Sequence, residues 1–113
     1  MIERALIEEM FARNRARGQW DMDGPLLWGY FFTCDTPEPL EAAAPALAAQ
    51  GYDLVEIFAT EDEGVPELFW LHIEKVETHS VDTLDQRNRE LDAFAAKWGL
   101  ASYDGMDVGA VPA

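Results

Sequence analysis

Two short runs decide what this chain can fold into. Residues 26–33 (LLWGYFFT) and 68–73 (LFWLHI) are apolar on both of their alternating faces. A segment with that pattern suits the interior of a sheet, so each run is expected to be a central strand of one sheet. Trp28, Tyr30 and Phe32 fall on one face of the first run, with Leu27 and Phe31 on the other. In the second, Phe69, Leu71 and Ile73 share one face, and Trp70, His72 and Glu74 share the other.

Each run leads into a helix and then a further strand. After the first, Thr36-Pro37-Glu38 reads as an N-cap, a first-turn proline and a first-turn acid. A helix then carries Leu40, Ala44 and Leu47 to Gly51, with Pro45 removing one of its hydrogen bonds and favouring a kink near Glu41 or a late start. Tyr52 to Ala59 is a second strand, with Val55 and Ile57 on one face and Leu54 and Phe58 on the other. Asp53 and Glu56 mark it as an edge. Residues 60–66 (TEDEGVP) form an acidic hairpin loop. After the second run, a helix from about Val81 to Trp98 places Leu84, Asn88, Leu91, Phe94, Ala95 and Trp98 on its inner stripe, and Gly99 stops it. Asn88 needs partners there, and strand or loop backbone is the expected source. Tyr103 to Gly109 returns as a short fourth strand, with Asp104-Gly105 as a turn signal.

The order strand, helix, strand, strand, helix, strand is that of a ferredoxin-like split β-α-β core. The expected fold is α+β: a four-stranded antiparallel sheet ordered 4-1-3-2, with the core helices on one face. An added helix over about residues 1–17 carries an apolar stripe of Ile2, Leu6, Ile7, Met10 and Phe11, and docks on the sheet or on a helix edge. One domain is expected over residues 1–113, with its core at about 25–109.

Charge excludes some functions. The 113 residues carry a net charge of −14. Residues 1–17 hold four Arg against three Glu, so the excess acid lies in the remainder. Such a body repels phosphate, which argues against direct nucleic-acid binding, while a basic partner is permitted. Arg13, Arg15 and Arg17 suit the C-terminal end of the first helix, a reading that outweighs RNA binding. With one cysteine, Cys34, no internal disulfide can form, in keeping with a reducing cytoplasm. No apolar run approaches the roughly 20 residues of a membrane span, and residues 1–20 do not read as a secretory signal.

Catalytic chemistry is weakly represented. His72 and Glu74 share a strand face, with Glu77 and His79 nearby, but zinc wants three or four ligands at fixed spacing. Asp104 and Asp107 could pair with each other or with Asp62 or Glu74, as abundant carboxylates do by chance. There is no phosphate-binding glycine loop, and Cys34 lacks a basic neighbour in sequence. A non-enzymatic protein without metal or cofactor is expected. The alternatives are a small hydrolase or metal enzyme built on His72, Glu74 and Asp104–Asp107, and a small-ligand or dimerisation module using the aromatics Trp28, Tyr30 and Trp70.

Several of these residues also carry a resemblance. Residues 28–32 (WGYFF), 71–80 (LHIEKVETHS), 103–109 (YDGMDVG), and Leu84, Arg87-Asn88 and Glu90-Leu91 between them resemble the regulator of ribonuclease activity B (RraB) family over roughly residues 20–109. Its members are small acidic bacterial proteins with a ferredoxin-like core. The resemblance implies inhibition of ribonuclease E by binding its largely disordered, arginine-rich C-terminal half. The partner would then be ribonuclease E or another basic, flexible segment, met in the cytoplasm with no membrane or direct nucleic-acid contact. The candidate contacts are Asp62 and Glu63 in the hairpin loop, Trp70 as aromatic anchor, Glu74 on its strand, and Asp104 and Asp107 in the closing segment.

Overall fold

The structure is a computed structural model that describes residues 2–61, 63–64 and 66–112. The elements run α1 (Arg4–Arg17), β1 (Leu26–Cys34), α2 (Glu38–Ala49), β2 (Asp53–Thr60), β3 (Leu68–Glu77), α3 (Val81–Lys97) and β4 (Ser102–Gly109). The sheet is antiparallel in the order β2-β3-β1-β4, the expected 4-1-3-2 read from its other edge. The two doubly apolar runs are its centre.

Register separates the faces. Tyr30 pairs with Ile73 and Phe32 with Leu71, so these side chains project together and are buried under the helices. Leu40 and Leu47 of α2, Leu84 and Leu91 of α3, and Ile7 and Phe11 of α1 complete one core. Phe11 stacks on Trp28 with ring centroids 6.0 Å apart, which seats α1 on the sheet beside α3. Trp70 pairs with Thr33 and therefore points to the opposite side. The expected aromatic group of Trp28, Tyr30 and Trp70 is thus divided between two faces, and the two core members are fully buried. This removes a ligand or dimerisation module built on those three rings together.

Other expectations are corrected by local geometry. In α1 the buried positions are Ile7, Phe11 and Asn14, while Leu6 is 56% exposed, because contact with Trp28 and α3 selects a narrower stripe. Thr36 makes no cap: α2 begins at Glu38, after Pro37, and retains Pro45 inside. Trp98 ends α3 at the surface, 37% exposed. In β2 a bulge between Leu54 and Glu56 breaks the alternation, so Leu54 and Ile57 oppose Ile73 and Leu71 while Phe58 opposes Trp70. β4 is a full strand, and Asp104-Gly105 is no turn. It is the site of a second bulge, since Phe31 opposes Gly105 and Phe32 opposes Tyr103.

Asn88 is fully buried, but its partners are side chains rather than backbone. Tyr103 donates its hydroxyl hydrogen to Asn88 Oδ1 at 2.6 Å, and Asn88 Nδ2 lies 3.4 Å from Met106 Sδ. The amide thereby ties α3 to the edge strand β4. Burial raises the Tyr103 phenol above its ordinary range.

Candidate functional site

All three helices lie over one face of the sheet, and the site is the other face. Its side chains come from alternate positions of each strand: Phe31 of β1, Trp70, His72 and Glu74 of β3, Phe58 and Glu56 of β2, and Asp107 of β4. Among the described residues Lys75 is the only Lys or Arg on any strand, and it pairs with Trp28 toward the helical side. No strand cation therefore faces these aromatics and carboxylates.

The aromatics form a contiguous patch. Trp70 lies parallel to Phe58, with centroids 6.1 Å apart and planes 3° from parallel, and stands edge-on to Phe31 at 6.4 Å. Phe31 in turn stacks on His72 at 4.4 Å. The indole N–H of Trp70 donates to Thr60 Oγ1 at 3.0 Å, which holds the ring plane. Beside Phe31 the neighbouring strand offers Gly105, which has no side chain to cover the ring. A cleft of about 370 Å³ opens there, lined by Phe31, Phe58, Thr60, Trp70, Asp104, Gly105 and Met106. The bulge in β4 places Asp104 at its rim.

A second group surrounds Gly29. Its cross-strand neighbours are Glu74 on β3 and Asp107 on β4. A methyl group at residue 29 would collide with the Asp107 carboxylate and lie 3.0 Å from His72 Nε2. The missing side chain is what lets imidazole and carboxylate converge over the strand. His72 Nε2 is 3.9 Å from Glu74 Oε2, beyond hydrogen-bond reach, and is buried without a partner among the described residues. No group of three or more His, Cys, Asp or Glu side chains among the described residues is placed to hold a metal ion.

Glu77 and His79, close to His72 and Glu74 in sequence, do different work. His79 Nε2 lies 2.8 Å from Glu77 Oε2, and its Nδ1 lies 3.0 Å from Thr83 Oγ1. Arg87 grips the Glu77 carboxylate with two nitrogens, each at 2.7 Å, and the Tyr30 hydroxyl donates to it at 3.1 Å. Burial pushes the Glu77 carboxyl up, but hydrogen bonds from His79 and Arg87, helped by the Arg87 charge, outweigh it and bring it down to about 2. Burial raises the Tyr30 phenol, and the nearby Glu77 carboxylate adds to that. Tyr52 lies under Lys75 and Arg87 and is raised to about 12, chiefly by burial. This network fastens the end of β3 to the start of α3. Ser80 reinforces it with a capping box on Thr83.

The family model described as regulator of ribonuclease activity B matches residues 4–108, nearly the whole chain. The chain belongs to that family. A comparison with curated proteins gives no match. Within the RraB framework the run from Leu71 to Ser80 serves two purposes: His72 and Glu74 face outward, while Glu77 and His79 hold the fold. The match extends through α1, whose Arg15 forms a two-pronged pair with Asp23 at 2.7 and 2.8 Å. Arg13 and Arg17 make no ion pair among the described residues. They line a crevice of about 250 Å³ between α1 and β4, with Trp20 and Asp107.

Of the expected contact residues, Trp70, Glu74, Asp104 and Asp107 are brought to the one open face, and both aspartates belong to strand β4 rather than to a closing loop. Glu63 is exposed in the turn between β2 and β3, and Asp62 lies outside the described residues. Sequence reasoning misses Phe58 and Glu56. Their alternation is visible in the chain, but the bulge that brings them opposite Trp70 and His72 is not. Among the described residues, no helix is long and apolar enough to cross a membrane.

Proposed function

We propose that this protein is a non-enzymatic regulator of ribonuclease E that binds a basic, flexible segment of the enzyme across its open sheet face. One observation carries the reading. That face joins Phe31, Phe58 and Trp70 to Glu56, Glu74, Asp104 and Asp107, with no strand Lys or Arg among them. Membership in a family of ribonuclease regulators supports the target. A net charge of −14 favours a basic polypeptide over RNA, and the encounter is assigned to the cytoplasm.

Each exposed ion pair contributes only about 0–1 kcal/mol. Several together accelerate association and confer specificity, while the aromatic patch supplies anchoring. A disordered segment loses entropy on binding, so moderate affinity is expected. Salt should weaken the complex steeply, since the screening length falls from roughly 10 Å at 0.1 M to about 3 Å at 1 M. The test is a titration with the arginine-rich segment of ribonuclease E at low and high salt, using the natural protein and an Asp104→Asn/Asp107→Asn double variant. Weaker binding in high salt and in the variant is expected. Binding indifferent to both would remove the electrostatic mechanism, and no binding by the natural protein would remove this partner.

A further inference from the structure

We infer that the cleft between Trp70, Phe31 and Asp104 is a socket for one arginine side chain of a bound polypeptide. The inference rests on the protein-binding reading above and specifies which residue the partner must present. A charged face alone would accept lysine and arginine alike. The cleft is more selective, because three aromatic rings and one carboxylate, that of Asp104, line it together.

Three features define the occupant. First, the walls suit a flat group. Phe31 and Trp70 meet at 79°, and Phe58 stacks parallel to Trp70. A guanidinium is planar, weakly hydrated and stacks on such rings, whereas an ammonium is a compact, strongly hydrated point charge. Second, the exposed Asp104 supplies a negative partner for the fork of N–H donors that only arginine offers. A purely apolar occupant would cover that carboxylate without pairing it, at a desolvation cost. Third, the socket is built rather than incidental. The β4 bulge sets Asp104 beside the cleft, Gly105 leaves the Phe31 ring open, and Thr60 holds the indole through its N–H, with Phe58 stacked on one side of the indole and the other side left for an incoming group. A second copy of the protein is a poor occupant, since two bodies of charge −14 repel.

The experiment uses the full chain, isotope-labelled, and three synthetic peptides that differ at one position: arginine, lysine or citrulline within the same glycine- and serine-rich sequence. Binding is read from amide and indole N–H resonances. The arginine peptide is expected to shift Trp70 Nε1–H and the Phe31 and Gly105 amides. The lysine peptide should bind more weakly, and citrulline, flat but uncharged, weaker still. Trp70→Leu and Asp104→Asn should each weaken arginine binding by roughly three- to thirtyfold and abolish the preference over lysine. Glu56→Gln, on the same face outside the cleft, should lower arginine and lysine binding in equal proportion. Spectral dispersion of each variant checks folding, and Asp104→Asn keeps the test open if Trp70→Leu does not fold. Equal affinity for arginine and lysine, shifts confined to Gly29 and His72, or no binding of the arginine peptide would each overturn the socket. The two readings fail separately. A ribonuclease segment that binds as well to Asp104→Asn and Trp70→Leu leaves the protein-binding reading standing without the socket. Arginine peptides that fill the cleft while that segment does not bind leave the socket without that partner.

Discussion

Replacing Glu77 by Gln would isolate the ion-pair network that joins β3 to α3. The carboxylate accepts from Arg87 through two nitrogens, from Tyr30 and from His79, and its side chain is only 12% exposed. Its ordinary value of 4.5 falls to about 2 in the folded protein. The unfolded chain therefore takes up a proton at a pH where the folded chain still resists it. The stabilisation is fully present above about pH 5 and is lost as pH falls through 4.5 toward 2. The depression corresponds to about 3 kcal/mol, and solvent screening at a partly covered site lowers the realised figure to about 2 kcal/mol. The amide of Gln also turns a donor toward the Arg87 guanidinium, leaving that charge covered and unpaired. Urea unfolding of both proteins from pH 7 to pH 2 is the assay. The variant should be about 2–3 kcal/mol less stable at pH 7, and the difference should shrink below about 1 kcal/mol at pH 2, where the folded carboxyl is about half protonated and the unfolded one almost fully so. A difference that stays constant across that range would refute an ionised, paired Glu77.

The remaining predictions concern the joints around the open face. Asn88→Leu leaves the buried Tyr103 hydroxyl without its acceptor and should cost about 1–3 kcal/mol by chemical denaturation, with β4 amide resonances shifting most. Unchanged melting would show the amide to be dispensable. Ser80→Ala removes the acceptor for the Thr83 N–H and should lower stability by about 0.5–2 kcal/mol, with exchange of α3 first-turn amides quickened. Gly29→Ala should displace the Asp107 carboxylate and move the His72 ring resonances with little change in melting temperature, because the obstructing Asp107 side chain is exposed. Resonances of Asp107 and His72 that stay in place would contradict their convergence over Gly29.

Much of the fold was legible because it depends on local chemistry. Two runs apolar on both sides cannot be edges, and Gly18 and Gly99 end their helices in the left-handed region that favours glycine. These features lead to the α+β order and the strand arrangement. The grouping of Trp70, His72 and Glu74 on one face of β3 was legible too, since alternation along one strand is set by the chain itself.

What the sequence could not determine was how one strand meets another. The bulges in β2 and β4 each add a residue on one side of a pair, and nothing local marks where. They decide that Phe58 joins Trp70 and that Asp104 rims a cleft rather than a turn. Trp28 and Trp70 look alike in composition, yet antiparallel register buries one under Phe11 and leaves the other on the open face. The same holds for Asn88, whose polar stripe position was evident but whose partners, Tyr103 and Met106, come from β4, the strand that follows its helix. The sequence by itself determined the elements, their order and, where no bulge intervenes, which residues of a strand share a face. Only the tertiary structure decided which side chains meet, because contacts between strands are set by register and packing across the whole sheet, and no single segment carries that information.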